Sequence, residues 1–262
     1  MKKLLTILFI VGVSQALFAQ GDIDDQEKIF YRNERTVGLN LNSNGFGISY
    51  REGKRLDFLN KRIIDIDLNI IRHPKEVKLS NPWVQTSGSF VYGKKNEVYS
   101  LRGALGHQHE MFRKMDLGGV SVRYFYSGGI SLALAKPIYY NVLHYTPAST
   151  YQIKQEKFTD DILDPSYIYN KASFFKGISE TKVYPGLSGK AGFNFEYSKE
   201  DKVIHSLELG TSLEAFTRKL PIMATDDNRA VFLTLFVSYR IGIVIDPMDP
   251  DSNRTPGLFF RR

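Results

Sequence analysis

The chain has 262 residues, of which 42% are hydrophobic, and it carries a formal net charge of +7 without a single cysteine. The missing cysteine excludes disulfide bonds, thiolate metal sites, a cysteine nucleophile and a lipid-modified cysteine. The basic residues are scattered along the chain and form no recognisable nucleic-acid-binding motif, so we expect no nucleic-acid partner.

The N-terminus has the organisation of a secretory signal peptide. Two lysines precede an apolar run over residues 4–13, and small and polar residues follow up to Ala19. The run is too short to span a bilayer, so we expect residues 1–19 to be cleaved off, with a retained membrane anchor as the alternative. The mature chain would then begin with an acidic lead over residues 20–33.

Residues 35–42 and 45–52 begin a series of segments in which apolar side chains alternate with polar or small ones, the period-two pattern of β-strands. Ser43 and Asn44 between them make a typical hairpin turn. Six more segments with this pattern follow, over residues 62–72, 97–112, 118–137, 187–198, 202–218 and 231–243.

The segment over residues 118–137 is almost apolar enough for a membrane helix, with Arg123 as its one charge before Lys136. Its alternation and its repeated glycines instead predict a strand. We expect one long strand that bends or bulges at Gly128 and Gly129, crosses the membrane and projects beyond it.

Residues 139–186 form the longest connection and hold seven of the fifteen tyrosines. A long loop this rich in aromatic residues is expected to be ordered, and ordered tyrosine-rich surfaces are typical of protein interfaces. We therefore expect partner binding, with a self-packed cap or a small-ligand site as alternatives. The candidate partner-binding residues are Tyr139, Tyr140, Tyr145, Tyr151, Tyr167, Tyr169, Phe174, Phe175 and, in the other long loop over residues 73–95, Trp83.

Several of the eight segments reach ten or more residues, about twice the usual strand length in soluble proteins, and they match transmembrane strands. With the export signal they predict an all-β fold, an antiparallel up-and-down transmembrane β-barrel of about eight strands over residues 34–245, in the bacterial outer membrane. Residues 246–262 would form a periplasmic tail. The periplasmic turns would be residues 53–61, 108–118 and 199–201, and the outward connections residues 43–44, 73–95, 139–186 and 219–229.

Five charged residues fall on the polar faces of the predicted strands and are candidates for lining the lumen. They are Asp65, Asp67, Arg102, Arg123 and Arg240. The interior of an eight-stranded barrel is just wide enough for side chains, so opposite charges there are expected to pair and plug it. A charged lining of an open pore is the alternative.

His107 and His109 lie two residues apart and hence on one face of a strand, where they could share a metal with Glu110 or His73. The simpler interpretation places them at the membrane–water boundary. No metal-binding or cofactor-binding motif is present, so we expect neither group.

Serine-hydrolase chemistry would require a serine, a base and an orienting acid in one site. The strands contain serines and the chain contains histidines, but no GxSxG motif occurs. The residues considered are Ser100, Ser121, Ser131, Ser188, Ser212, His144 and His205. We expect no enzyme, with a barrel-embedded hydrolase as an alternative.

The closing strand "AVFLTLFVSYRIG" and the "FAQ" ending of the signal resemble small outer-membrane barrels of the Bacteroidota, as do "GGVSVRYFYSGGISLALAKPIYY" and "KVYPGLSGKAGFNFEY". The resemblance extends from about Phe30 to Ile245 and implies an accessory subunit of an outer-membrane protein assembly or type IX secretion machine. Seventeen residues follow Ile245, too few for an OmpA-like domain that binds peptidoglycan.

The sequence thus predicts a non-enzymatic outer-membrane barrel that contacts lipid through its strands and other envelope proteins through its loops. A narrow channel or a ligand-binding barrel is the alternative from a different functional class.

Overall fold

The structure, a computed structural model, describes residues 33–84, 87–114, 119–145, 151–158, 164–198 and 203–245. The expected signal peptide, the tail and all but the last residue of the N-terminal lead lie outside these ranges. The strands are β1 (Asn33–Asn42), β2 (Gly45–Arg55), β3 (Asn60–Ile71), β4 (Lys78–Leu79), β5 (Phe90–Val91), β6 (Asn96–Phe112), β7 (Ser121–Pro137), β8 (Tyr139–Tyr145), β9 (Tyr151–Lys157), β10 (Ile168–Lys171), β11 (Lys182–Glu196), β12 (Val203–Phe216) and β13 (Val231–Ile245).

Eight of these strands close into an antiparallel barrel in the order β1-β13-β12-β11-β7-β6-β3-β2. The seam is formed by β1 and β13, which pair from Asn33 with Ile245 to Asn42 with Phe236. The predicted fold class is therefore confirmed. No helix in the described part of the chain is long and apolar enough to cross a membrane.

The connections divide between the two ends of the barrel as the sequence predicts. One end, here called the turn end, carries Asn33, Ile245 and the shorter connections that follow β2, β6 and β11. The other, the cap end, carries the hairpin turn at Ser43 and Asn44 and the three long connections, which contain β4, β5, β8, β9 and β10. The long connection before β11 ends at residue 181, because β11 begins at residue 182, five residues before the predicted strand start at residue 187.

Along the strands the inward side chains are mostly polar and the outward ones mostly apolar, with exceptions such as the inward Phe125 and the outward Lys136. On β3, Ile64, Ile66 and Leu68 are exposed on the outer face, while Arg62 and Arg72 mark its two ends. The ten steps from Arg62 to Arg72 span about 33 Å along the chain, or about 25 Å once the strand is tilted, which is the height of the apolar band of a membrane barrel. The exposed apolar face is thus a lipid-facing belt.

The expected bulge at Gly128 and Gly129 is wrong. Both residues pair in continuous register with β6 and with β11, and the register shift of the β6–β7 pair lies between Glu110 and Phe112. Gly129 is required by close packing: a Cβ there would lie 2.0 Å from the carbonyl oxygen of Gly103. Gly128 faces outward into open space.

This difference predicts unequal effects of alanine at neighbouring positions. Gly129→Ala should destabilise the barrel by about 1–3 kcal/mol, because strand backbones must move apart to admit the methyl group. Gly128→Ala should change stability by no more than about 0.5 kcal/mol, since only the Ser188 carbonyl oxygen comes near its Cβ, at 3.9 Å. Urea unfolding in lipid vesicles measures both, and equal losses would contradict the packing argument.

Candidate functional site

The centre of the lumen is filled by four cationic and four anionic side chains, all buried. They are Arg51, Arg102, Lys190 and Arg240, and Asp65, Asp67, Glu208 and Glu214. The four positive and four negative charges of this group cancel, so no bound ion is needed to neutralise the centre of the lumen. Four of the five predicted lumen residues belong to it.

Arg51 on β2 is the most highly connected member. Its Nε lies 2.5 Å from Oδ1 of Asp65 and its Nη2 lies 3.1 Å from Oδ2, a two-pronged contact. Its Nη1 donates to Glu208 on β12. The Phe125 ring supports the guanidinium from 4.5 Å.

The remaining charges extend this network across the lumen. Arg240 donates from Nη1 to the Ser49 hydroxyl at 2.8 Å and lies within 4 Å of Asp65 and Glu208. Asp67 forms ion pairs with Arg102 at 3.4 Å and with Lys190 at 3.7 Å.

Arg123, the fifth predicted lumen residue, lies in a second buried cluster near the turn end. It forms ion pairs with Glu34 at 3.5 Å and Glu110 at 3.8 Å, and a closer one with Glu196. Lys61 also binds Glu34. Charges from β1, β3, β6, β7 and β11 thus meet at this end of the lumen.

An apolar layer lies across the lumen at the cap end. Leu220 and Ile222, from the β12–β13 connection, turn inward and are fully buried against barrel residues such as Ile71 and Phe216. Asn228 fixes this connection, because its side chain accepts from the amide of Ile222 and donates to backbone carbonyls. Paired charges below and this layer above favour a closed scaffold over an open channel.

The cap above the barrel has a hydrophobic core of its own. The strands β10, β8 and β9 form a small sheet in that order, and Tyr140 on β8 is buried among Phe90, Phe158 and Ile168. Its hydroxyl lies 2.8 Å from the carbonyl oxygens of Val91 and Lys94. Burial raises the pKa of Tyr140, so the hydroxyl remains a donor.

A buried amide joins the two turns of the cap that carry the exposed side chains of Trp83 and Tyr167. Asn81 donates to the carbonyl oxygens of Ser166 at 2.6 Å and Ile168 at 3.0 Å, and its own side-chain oxygen accepts from the Trp83 amide. The turn that presents Trp83 is thereby joined to the turn that presents Tyr167. Trp83 is 80% exposed and Tyr167 46% exposed; we call this surface the Trp83–Tyr167 face.

The other candidate partner-binding residues are dispersed. Tyr151 is exposed on the edge strand β9, and Tyr169 is half-buried on β10. Tyr139 donates to Glu180 at 2.6 Å. Hydrogen bonds from Lys157 and Tyr139 lower the pKa of Glu180, so the Glu180 carboxylate stays ionised at neutral pH. Tyr145 belongs to β8, but its side chain lies outside the described structure.

Phe174 and Phe175 are not part of the Trp83–Tyr167 face. Phe174 contacts Tyr99 of β6 edge to face, with 6.4 Å between ring centroids. Tyr99 lies on the outer face of the barrel, since its neighbours Val98 and Ser100 are fully buried inside. Phe174 therefore lies against the outside of the barrel wall, and the exposed Phe175 packs on Phe174.

The fold separates most of the side chains considered for metal binding. His107 and His109 face outward near the turn end, where His107 stacks on Tyr126 and the tilted ring of His109 contacts Tyr124. Glu110 points into the lumen toward Arg123, and His73 is buried at the cap end, two residues after β3. No group of three potential metal-ligating side chains occurs among the described residues. The paired rings suit the boundary of the lipid-facing belt, where aromatic residues concentrate.

The serines and histidines considered for hydrolysis are also on different surfaces. Ser100 and Ser131 are buried in the lumen, where they donate to Glu214. His205 faces outward and contacts the Tyr239 hydroxyl at 3.0 Å, and His144 pairs with Glu156 in the cap. No described serine in this set has a histidine beside it.

The predicted lumen residues did not include four members of the central group, namely Arg51, Lys190, Glu208 and Glu214. The sequence alternation could have identified them, because each occupies an inward position of an alternating strand. No sequence pattern could have identified Asn81, since a single asparagine in a loop does not reveal its hydrogen-bond partners.

The chain matches no protein-family profile, and no curated protein matches it. Three solved structures are similar in outline. Neisserial surface protein A shares 10% identity, with 81% of this chain and 96% of that one covered and a TM-score of 0.37. Ail of Yersinia pestis, solved with the heparin analogue sucrose octasulfate, shares 7%, covering 82% and 99% with a TM-score of 0.36. The N-terminal β-barrel domain of Pseudomonas aeruginosa OprF shares 8%, covering 82% and 98% with a TM-score of 0.35.

Proposed function

We propose that the protein is a non-enzymatic accessory subunit of a larger complex in the bacterial outer membrane, and that it binds another envelope protein through its cap. The observation that carries the proposal is the Trp83–Tyr167 face. The buried Asn81 amide joins the backbones of the two turns that carry these large exposed aromatic side chains, and aromatic residues on an ordered surface are typical anchors of protein interfaces.

The closed lumen supports the same assignment. A barrel whose interior is occupied by paired charges offers its surfaces, rather than its lumen, for function. The resemblance to small barrels of the Bacteroidota, among them accessory subunits of assembly and type IX secretion machines, favours such a partner. In this arrangement the cap faces the outside of the cell, and the turn end faces the periplasm.

Photo-crosslinking in the native cells tests the docking face. A photoreactive residue at position 83 or 167 should give one discrete crosslinked protein, and Trp83→Ala combined with Tyr167→Ala should abolish co-purification of that protein in mild detergent. A photoreactive residue at Leu56, exposed at the turn end, is the control and should not capture it. Isolation as a lone monomer, or retention of the partner by the double variant, would reject the proposal.

A further inference from the structure

The segment of residues 172–181, between β10 and β11, lies along the outside of the barrel at the cap end; we call it the rim segment. Gly177 turns it back toward the wall in a left-handed conformation, with φ of 84°. A Cβ at Gly177 would lie 2.9 Å from the Pro137 carbonyl oxygen and 3.1 Å from the Tyr139 ring. The close approach keeps the rim segment against the cap end of β7.

A buried lysine fastens the rim segment to the wall. Lys136, on the outer face of β7, donates to the Phe174 carbonyl oxygen at 2.7 Å, and its ammonium lies 3.7 Å from the centre of the Phe174 ring. Glu97 on β6 pairs with Lys136 at 3.2 Å and also with Lys171. Although it faces outward, Lys136 is only 4% exposed, because Phe174 covers it.

The rim segment continues the edge of the lipid-facing belt. Ladder pairs join Ile70 to Tyr99, Tyr99 to Leu134, and Leu134 to Val183, which makes one outward row across four strands. The next row toward the cap is charged, with Glu97 opposite Lys136. Phe174 packs on Tyr99 of the apolar row and covers the charged one.

The aromatic rings of the rim segment present their free surface away from the protein. Phe174 is 48% and Phe175 78% exposed, with 5.7 Å between their ring centroids. Ile178 is also exposed, and Lys176 follows Phe175 directly. Apolar rings next to a lysine at the edge of a lipid-facing belt are the composition of a membrane-interface anchor.

We propose that the rim segment inserts Phe174 and Phe175 between the lipids of the adjoining leaflet, at the boundary of acyl chains and headgroups, with Lys176 at headgroup level. The inference rests on the membrane placement of the proposed function but not on the Trp83–Tyr167 face. Continuity with the apolar row selects lipid as the occupant over a second protein. The rim segment thereby shields the Glu97–Lys136 pair from lipid and fixes the height of the cap above the membrane.

Tryptophan fluorescence tests the insertion in purified protein. Trp83 is the sole tryptophan, so Trp83→Phe gives a silent background into which Phe175→Trp or, as control, Tyr167→Trp is placed. In vesicles of phosphatidylcholine brominated near the headgroup, Phe175→Trp should emit at shorter wavelength and lose intensity. Tyr167→Trp should emit as in water and keep its intensity. Equal, unquenched emission from both would overturn the proposal, whether or not a docking partner exists.

Spin labelling tests the same insertion without a tryptophan substitution. The chain has no cysteine, so Phe175→Cys and Tyr167→Cys each accept one nitroxide spin label. At position 175 the label should collide more often with lipid-soluble oxygen than with a water-soluble nickel chelate, and at position 167 the order should reverse. Preference for the nickel chelate at position 175, or protection from both quenchers by a co-purifying protein, would reject insertion into lipid.

Discussion

Replacing Arg51 by leucine should destabilise the barrel by about 3–5 kcal/mol, the usual cost of removing one partner from a buried ion pair. Arg51 holds Asp65 and Glu208 at once. Without it the two carboxylates face each other in the lumen, with Arg240 within 4 Å of both. Urea titration of the protein in lipid vesicles, followed by gel migration of folded and unfolded forms, measures the loss.

Two variants give this prediction its controls. Arg35→Leu removes the same side chain from an ion pair with Glu52 at 3.2 Å whose two members are about two-fifths exposed, and should cost no more than about 1 kcal/mol. Arg51→Leu combined with Asp65→Leu keeps three charges of each sign at the centre, so it should be less destabilising than the sum of the single changes. Additive losses would show that the charges do not act as one network.

Replacing Ile66 by arginine should destabilise the protein by about 2–4 kcal/mol, as expected for a charge on the lipid face at the bilayer midplane. Ile66 is exposed on the outer face of β3 and lies near the middle of the run from Arg62 to Arg72. Its direct ladder neighbours are Tyr50 on β2 and Gly103 on β6, so no carboxylate lies opposite the guanidinium. The same unfolding titration in vesicles measures the effect.

Ile70 provides a matched comparison on the same strand and the same face. It lies two residues from Arg72, where the belt ends, so Ile70→Arg should cost only about 0–1 kcal/mol. A water-soluble barrel would tolerate arginine at both positions alike. Equal effects at Ile66 and Ile70 would therefore contradict the position of the membrane inferred from the belt.

The strands and their faces could be predicted from the sequence because period two is a local property. Every outward residue on β12 from Leu207 to Ala215 is where the alternation puts it. Local pattern does not, however, report which lumen charges meet. Arg51 and Glu208 are 157 residues apart, and only the closed barrel brings them together.

The cap was less predictable for a different reason. Its sheet is short, and its residues owe their position to single contacts such as those of Asn81 and Lys136. Phe174 and Phe175 look like any other aromatic residues of a long loop. Their position outside the wall depends on contacts with Glu97, Tyr99 and Lys136. These residues lie on β6 and β7, outside the loop sequence. The expected bulge was wrong because a glycine pair in a strand also arises where neighbouring backbones crowd, as at Gly129.

The central charges meet across the seam that closes the barrel. Arg51 and Asp65 lie on β2 and β3, and Glu208 and Arg240 lie on β12 and β13, so β1 and β13 must pair before the two halves of the network touch. In an open sheet each charge can pair only with a neighbour on the adjacent strand, as Arg51 does with Asp65 and Arg240 with Glu208. Closing the seam adds the contacts of Arg51 with Glu208 and of Arg240 with Asp65, a gain in free energy that is available to the sealed cylinder and not to the open sheet.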